Sequence, residues 1–160
     1  MTISVGDKMP AGSFAVMGAE GPEQLSTDEL FAGKKVVLVS VPGAFTPTCS
    51  KGHLPGYITQ ADDLGAAGVD TIACMAVNDV FVMDAWGKDR GVGDKVVMLA
   101  DGNGDYTNAL GLGLDASGFG MGQRGQRFAI VVDDGTATHV AVEEPGAFEV
   151  SKAEAILASL

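Results

Sequence analysis

Four apolar runs rich in β-branched residues punctuate the chain, and continuous runs of this kind are typical of buried strands. The runs are KKVVLVSV at 34–41, DTIACMAV at 70–77, VVMLA at 96–100 and FAIVV at 128–132. Asp134-Gly135 and then THVAVEE follow the last run. Since Asp-Gly favours tight two-residue turns, this pattern predicts a terminal β-hairpin.

Helical patterns occupy the segments between these runs. Ser26 and Glu29 form the S-x-x-E pattern of a capping box, which predicts a short helix through Phe31. From Leu54 to Leu64, apolar residues recur at three- and four-residue intervals, which is helical spacing. Further helices are predicted over 79–88 and 106–110 and from residue 151 onward.

The order of these elements predicts an α/β fold. Strands that alternate with helices pair in parallel, and the terminal hairpin adds antiparallel strands. The expected result is a thioredoxin-like fold, with a mixed central β-sheet and helices on both faces. The chain has 160 residues, the size of one compact domain, and we find no linker, so residues 1–160 are predicted to form a single domain.

The net charge of the chain argues against two classes of partner, nucleic acids and membranes. The formal net charge is −11, and an acidic surface repels both nucleic acid phosphates and anionic lipid heads. No apolar run approaches the roughly 20 residues that span a bilayer. The first residues, MTISVGDKMPAGSF, lack the basic and apolar regions of a signal peptide. We therefore expect a cytoplasmic protein that binds neither nucleic acid nor membranes.

The chain offers little for a metal or a cofactor. It has two cysteines and two histidines, and their spacings lack the close pairs typical of structural zinc. Asp101, Asn103 and Asp105 match the start of an EF-hand loop, but Tyr106 and Leu112 stand where that loop needs Gly and Glu. GFGMG at 118–122 lacks the spacing of a dinucleotide site and is expected to form a mobile loop. We expect no metal and no cofactor.

Cys49 is the candidate nucleophile. It follows the carboxyl end of the first buried strand through the loop 42–48, where ligands bind in open α/β sheets. It also precedes a helical pattern, and a helix N-terminus favours the thiolate anion. We expect its sulfur to be ionised and open to small oxidants. Pro55, six residues on, either kinks that helix or occupies its first position.

The loop before Cys49 carries further candidates. Thr46 has a hydroxyl that both donates and accepts, which suits it to hold a thiolate and a substrate oxygen together, although taken alone it is better explained as a loop residue or an N-cap. Pro42 and Pro47 restrict the loop and are expected to shield the sulfur from water, although taken alone they indicate only a turn.

The string PGAFTPTC contains the P-x-x-x-T-x-x-C pattern of Pro42, Thr46 and Cys49, and in this the chain resembles the peroxiredoxins. The longer string VPGAFTPTCSKGHLPGY is similar to their type II branch, which includes the plant type II enzymes and peroxiredoxin five. Supporting blocks are VNDVFVMDAWGK at 77–88, LADGNGDYTNALGL at 99–112 and RGQRFAIVVDD at 124–134. The resemblance extends from about Val5 to Leu160, and it implies that the loop GFGMG at 118–122 flanks the active site.

The resemblance implies an active-site arginine, which matches Arg127. A guanidinium beside the thiol favours the thiolate and binds a peroxide oxygen. Arg124 is the rival, but an odd separation on an extended segment places the two side chains on opposite faces. At most one of them should therefore face Cys49.

The implied reaction is the reduction of hydrogen peroxide and organic hydroperoxides through a sulfenic acid on Cys49. Thr46, Arg127 and the backbone N–H groups of Thr48 and Cys49 would stabilise the developing charge. The region GAFEVSKAEAILASL lacks the C-terminal cysteine with which peroxiredoxin five resolves this acid, and Cys74 is expected to be buried and inert. The resemblance therefore favours recycling by glutathione and glutaredoxin, with thioredoxin as the alternative, and a homodimer.

Two other classes remain as alternatives. His53, one turn after Cys49, is compatible with a Cys-His hydrolase, which also needs an orienting group and an oxyanion hole. A thioredoxin-fold redox sensor or chaperone, in which oxidation of Cys49 alters partner binding, is the second alternative.

Overall fold

A seven-stranded mixed sheet forms the centre of the computed structural model, which describes residues 1–160. A separate two-stranded ribbon, β6–β7, lies outside it. The strands are β1 Ser13–Gly18, β2 Gly21–Ser26, β3 Lys35–Ser40, β4 Thr71–Ala76, β5 Val97–Ala100, β6 Gly113–Asp115, β7 Gln123–Gly125, β8 Phe128–Asp133 and β9 Thr136–Val142. The order across the large sheet is β2-β1-β5-β4-β3-β8-β9.

The middle of the sheet carries the predicted buried strands. β3, β4 and β5 are parallel, while β8 runs antiparallel to β3. In that pairing Ser40 lies opposite Phe128. The chain that leaves β3 toward Cys49 therefore starts beside the residue that precedes β8, which is Arg127.

Helices cover both faces of the sheet. They are α1 Thr27–Phe31, α2 Leu54–Thr59, α3 Ala61–Ala66, α4 Val80–Arg90, α5 Asp105–Leu110 and α6 Ala153–Ser159. A cluster of 22 buried residues packs α2, α3, α4 and α6 on one face, and a cluster of 16 packs α1 and α5 on the other. None of the helices is long and apolar enough to cross a membrane.

The predicted fold class is confirmed, and several local predictions hold to within a few residues. Ser26 caps α1, where its side chain accepts from the Glu29 N–H and the Glu29 carboxylate reaches back. Asp134 and Gly135 both adopt positive φ in the β8–β9 turn, as a type I′ turn requires.

The sequence analysis missed four strands and merged two helices. β1 and β2 are partly exposed, so they lack the continuous apolar run of a buried strand. β6 and β7 have three residues each. The helix predicted from Leu54 to Leu64 divides at Gln60, whose φ of −92° and ψ of 5° end α2.

Candidate active site

A widened helical turn carries Cys49. Pro47 and Thr48 are already helical, and the first helical hydrogen bond runs from Ser50 N–H to the Thr46 carbonyl. Residues Cys49–His53 then form a π-helical turn, closed by Leu54 N–H on the Cys49 carbonyl. Pro55 directly follows this closing bond. Since a proline offers no N–H to the carbonyl four residues earlier, the wider turn accommodates it inside a continuous helical segment.

The loop between β3 and this turn is fixed at one point by Asn78. Its side-chain oxygen accepts from Ala44 N–H at 3.0 Å. The next residue, Phe45, adopts a φ of 66°, which is rare for a bulky residue and indicates that its surroundings hold the loop in shape. The constrained loop places Thr46 beside the first residues of the helical turn.

The sulfur of Cys49 has two polar contacts. Thr46 Oγ1 lies 2.7 Å from Cys49 Sγ and also 2.7 Å from the Gly43 carbonyl. Arg127 Nη2 donates to Cys49 Sγ at 3.1 Å. Since the threonine has one hydroxyl proton, it donates to the sulfur when Cys49 is a thiolate and to Gly43 when Cys49 is a thiol.

Arg127 bridges two residues of the same turn. Its Nη1 lies 2.8 Å from His53 Nδ1, while Nη2 holds Cys49. Its guanidinium carbon is 5.7 Å from the ring centre of Phe148. The ion pairs of the protein are Lys88–Asp84 and Arg90–Asp89, so no carboxylate pairs with this arginine.

Arg124 lies beside Gly43, in the loop that precedes Cys49, and binds backbone carbonyls there. Its Nε donates to the Met121 carbonyl at 2.9 Å and its Nη1 to the Val77 carbonyl at 3.1 Å. It makes no hydrogen bond to Cys49. The structure thus places one of the two arginines at the sulfur, the one that the sequence analysis preferred; a catalytic role for it stays a prediction.

His53 is buried, and each of its two ring nitrogens forms a hydrogen bond. Because a guanidinium can only donate, Nδ1 accepts from Arg127, and the ring proton on Nε2 donates to the Ser151 carbonyl at 3.0 Å. Tyr57 Oη donates to the same carbonyl at 2.6 Å. Burial, together with the Arg127 charge, lowers the pKa of His53 from 6.5 to about 3. The imidazole is therefore neutral at physiological pH.

Glu143 fixes the chain around Ser151. Its Oε2 accepts from the N–H of Glu149 at 2.8 Å, and from Ser151 N–H and Oγ at 2.9 and 2.7 Å. Burial opposes ionisation, but the hydrogen bonds from Ser151, Glu149 and Val150 outweigh it and hold the pKa of Glu143 below its usual value.

The hydrolase alternative does not fit this geometry. A catalytic histidine must accept the thiol proton, yet Nδ1 of His53 faces Arg127 and Nε2 faces Ser151. Neither nitrogen forms a hydrogen bond with Cys49.

One expectation is corrected. Cys49 has 0% of its surface exposed, so its sulfur is not open to small oxidants as we expected from the loop position. Thr46 and Arg127 cover it, and the surrounding turn buries it. A cavity of about 490 Å³ reaches its neighbours Pro42, Thr48 and Arg127. Phe119, in the loop that we expected beside the active site, lines the same cavity.

Comparison with known proteins agrees with this geometry. The Redoxin family matches residues 4–157. Peroxiredoxin-2C of rice is 50% identical to this chain, and the match covers 99% of this chain and 98% of the rice protein. Chloroplastic Peroxiredoxin-2E of Arabidopsis thaliana is 46% identical, and the match covers 99% of this chain and 70% of that protein. The chain belongs to the type II peroxiredoxin family. Reduced Prx3 of Vibrio vulnificus, crystallised with hydrogen peroxide, superimposes on this peroxiredoxin with a TM-score of 0.95 at 52% identity, covering 99% of each chain.

Membership of the family makes the protein a thiol peroxidase, an oxidoreductase that reduces peroxides. The second thiol of this peroxiredoxin is unsuited to such chemistry. Cys74 is buried in β4 opposite Val39 of β3. Burial raises the pKa of Cys74 well above its usual range, and the nearby Cys49 raises it further. A thiol that stays protonated is a poor nucleophile.

Two side chains of helix α4 form hydrogen bonds with the π-helical turn of the peroxiredoxin. Trp86 Nε1 donates to Ser50 Oγ at 2.8 Å, and Arg90 Nη1 donates to the Ser50 carbonyl at 3.1 Å. Both donors therefore act on the residue that follows Cys49. These contacts oppose any opening of the turn that would expose the sulfur.

The sequence analysis considered His53 as a hydrolase base and missed Asn78, Trp86 and Ser151. The one available signal for His53 was its spacing of four from Cys49, which places both on one helical face. Asn78, Trp86 and Ser151 are distant in sequence and carry no pattern that points to the site.

We expect the stability of the peroxiredoxin to fall in acid through His53. Its pKa is lower in the folded chain than in the unfolded chain, so the unfolded chain binds the extra proton below about pH 6.5. Between pH 7 and pH 5 the free energy of unfolding should drop by about 2 kcal/mol from this group. Urea titrations at both pH values measure the drop.

The variant His53→Asn is the control for that titration. It keeps Glu143 and every other titrating group, so the difference between the two proteins isolates His53. An equal drop in both proteins would contradict the assignment.

We also expect Trp86→Phe to expose Cys49 more often. The change keeps an aromatic ring but removes the donor to Ser50, a hydrogen bond worth about 1 kcal/mol. The turn should then open about five times more often, so that a bulky maleimide labels Cys49 about five times faster. Mass spectrometry of the labelled peptide measures the rate.

Lys88→Met is the matched control on the same helix, since Lys88 pairs with Asp84 and does not contact the turn. If Trp86→Phe labels no faster than this control, the Ser50 contacts do not govern opening.

Proposed function

We propose that the protein reduces hydrogen peroxide and organic hydroperoxides through a sulfenic acid on Cys49, and that glutathione and glutaredoxin recycle it. Catalysis is assigned to Cys49, Thr46, Arg127 and Pro42. The backbone N–H groups of Thr48 and Cys49 are assigned to substrate binding. The observation that carries the proposal is the pair of contacts on Cys49 Sγ, from Thr46 at 2.7 Å and from Arg127 at 3.1 Å.

In the first step the thiolate of Cys49 attacks the terminal peroxide oxygen. A sulfur–oxygen bond forms while the O–O bond breaks, and the electron pair leaves with the alkoxide or hydroxide, which takes up a proton. Arg127 donates to the developing charge, and Thr46 donates to the sulfur. The N–H groups of Thr48 and Cys49 precede the first helical hydrogen bond and are free to donate to the substrate.

Pro42 lines a cavity together with Thr48, the residue before Cys49, and Arg127, which contacts the sulfur. Its ring has no N–H and presents carbon to the entering peroxide, which supports the proposed role of keeping water from the sulfur. Leu114 and Phe119 add apolar surface to the same cavity. This apolar lining supports organic hydroperoxides as substrates beside hydrogen peroxide.

In the second step a thiol resolves the sulfenic acid. Glutathione attacks the oxidised sulfur, water leaves, and a mixed disulfide forms on Cys49; glutaredoxin then attacks that disulfide and releases reduced Cys49. External resolution is supported by the burial of Cys74 and by the absence of any cysteine after it. Thioredoxin is the alternative reductant.

The location and assembly of the protein belong to the same proposal. Both cysteines are free, which suits the reducing cytoplasm, where glutathione is available. Phe45, Phe81 and Phe119 are half or more exposed and supply apolar surface for a homodimer. We propose a cytoplasmic homodimer.

Peroxide turnover with glutathione and glutaredoxin tests the assignment of Cys49. We expect Cys49→Ser to abolish turnover and Cys74→Ser, its matched control, to keep most of it. Mass spectrometry after peroxide and then glutathione should find the added glutathione on Cys49. Peroxide turnover by Cys49→Ser would contradict the proposal. Turnover that thioredoxin supports and glutathione with glutaredoxin does not would show that thioredoxin is the reductant.

Arg127→Ala should slow peroxide attack by at least tenfold, because the sulfur loses a charged donor. It should also lower the fraction of Cys49 present as thiolate at neutral pH. Stopped-flow kinetics and ultraviolet titration of the thiolate measure the two effects.

Arg124→Ala is the comparison for this experiment. Its guanidinium holds carbonyls of Met121 and Val77, so a change there should leave peroxide attack within about twofold of the wild type. The reverse order of effects would show that Arg124 is the catalytic arginine.

A further inference from the structure

We propose that His53 is the positioning residue for Arg127: it holds the guanidinium in the plane from which it contacts the sulfur. This inference rests on the proposed role of Cys49 and goes beyond it. It assigns a task in peroxide reduction to a buried histidine that forms no hydrogen bond with the sulfur and does not line the cavity beside Arg127.

The first step is the fork of the guanidinium. Nη2 reaches Cys49 Sγ at 3.1 Å while Nη1 reaches His53 Nδ1 at 2.8 Å. The group is planar, and two contacts from its two terminal nitrogens fix both its position and its rotation. With only one of these contacts, the guanidinium would be free to rotate about it.

The second step is the absence of any competing anchor. No carboxylate pairs with Arg127. Phe148 lies 5.7 Å from the guanidinium carbon and limits movement on one side, but an aromatic face sets no direction within its plane. The orientation of the Arg127 guanidinium is therefore set by its hydrogen bonds to His53 and to the sulfur.

The third step is the anchoring of the imidazole. Nε2 donates to the Ser151 carbonyl at 3.0 Å, which leaves the Nδ1 lone pair directed at Arg127. Glu143 fixes Ser151 through its N–H and its hydroxyl. A neutral, fully buried acceptor can thus orient a cation without pairing its charge.

The π-helical turn explains how one arginine reaches both residues. Cys49 and His53 are the first and last residues of that turn, and both are buried. The turn presents a sulfur and an imidazole nitrogen together to the residue that precedes β8.

Two substitutions separate the two sides of the ring. The Asn side chain places its oxygen near the position of Nδ1 and cannot reach Ser151. The Gln side chain extends to the position of Nε2 and so reaches Ser151 instead. The quantities measured are the rate constant for peroxide reduction and the pH profile of thiolate absorbance, both on the full chain and without any reductant.

If His53 orients Arg127, we expect His53→Asn to stay within about threefold of the wild-type rate constant. His53→Gln should lose about tenfold, with a thiolate profile displaced toward that of Arg127→Ala. If His53 merely anchors Ser151, Gln preserves the rate and Asn loses it, which overturns the proposal. Wild-type rates in both variants also overturn it.

A double-mutant cycle decides the case in which both variants are slow. Adding His53→Gln to Arg127→Ala should change the rate less than twofold, since the residue to be oriented is gone. A full additional loss would show that His53 acts by another route. Failure of the Cys49 assignment is distinguishable, because wild-type protein would then show no peroxide-dependent oxidation of Cys49.

Discussion

The charge of Arg127 is the constraint on which the rest of the site depends. A half-buried guanidinium without a carboxylate partner is costly unless other groups compensate for its lost hydration. Here it donates to a neutral imidazole and to the sulfur of Cys49, and it lies near an aromatic ring. These contacts compensate for the hydration that the guanidinium loses.

The widened turn provides the geometry for that pairing. A proline six residues after the nucleophile would interrupt an ordinary helix, and the π-helical turn accommodates it without breaking the segment. The same turn directs Cys49 and His53 toward one arginine. Backbone irregularity, loop strain at Phe45 and the anchoring of Ala44 by Asn78 are thus concentrated around one sulfur atom.

The fold and the inner contacts of the site were accessible from the sequence for different reasons. Buried strands such as Lys35–Ser40 reveal themselves by apolar runs, and Thr46 by its fixed spacing from Cys49. Ser151 and Trp86 reach the site from far along the chain, and only tertiary packing brings them there. The burial of Cys49 was mispredicted because loop position says nothing about which side chains fold over it.

That burial imposes different demands on the two halves of the reaction. A peroxide is small, and the cavity beside Pro42 and Arg127 leads to the neighbours of the sulfur. A thiol reductant is larger and must form a bond to the oxidised sulfur itself, so the turn that carries Cys49 has to open. The hydrogen bonds of Trp86 and Arg90 to Ser50 resist that opening. In the proposed reaction, helix α4 would therefore protect the sulfenic acid and at the same time limit access for the reductant, and the two hydrogen bonds to Ser50 would contribute to both effects.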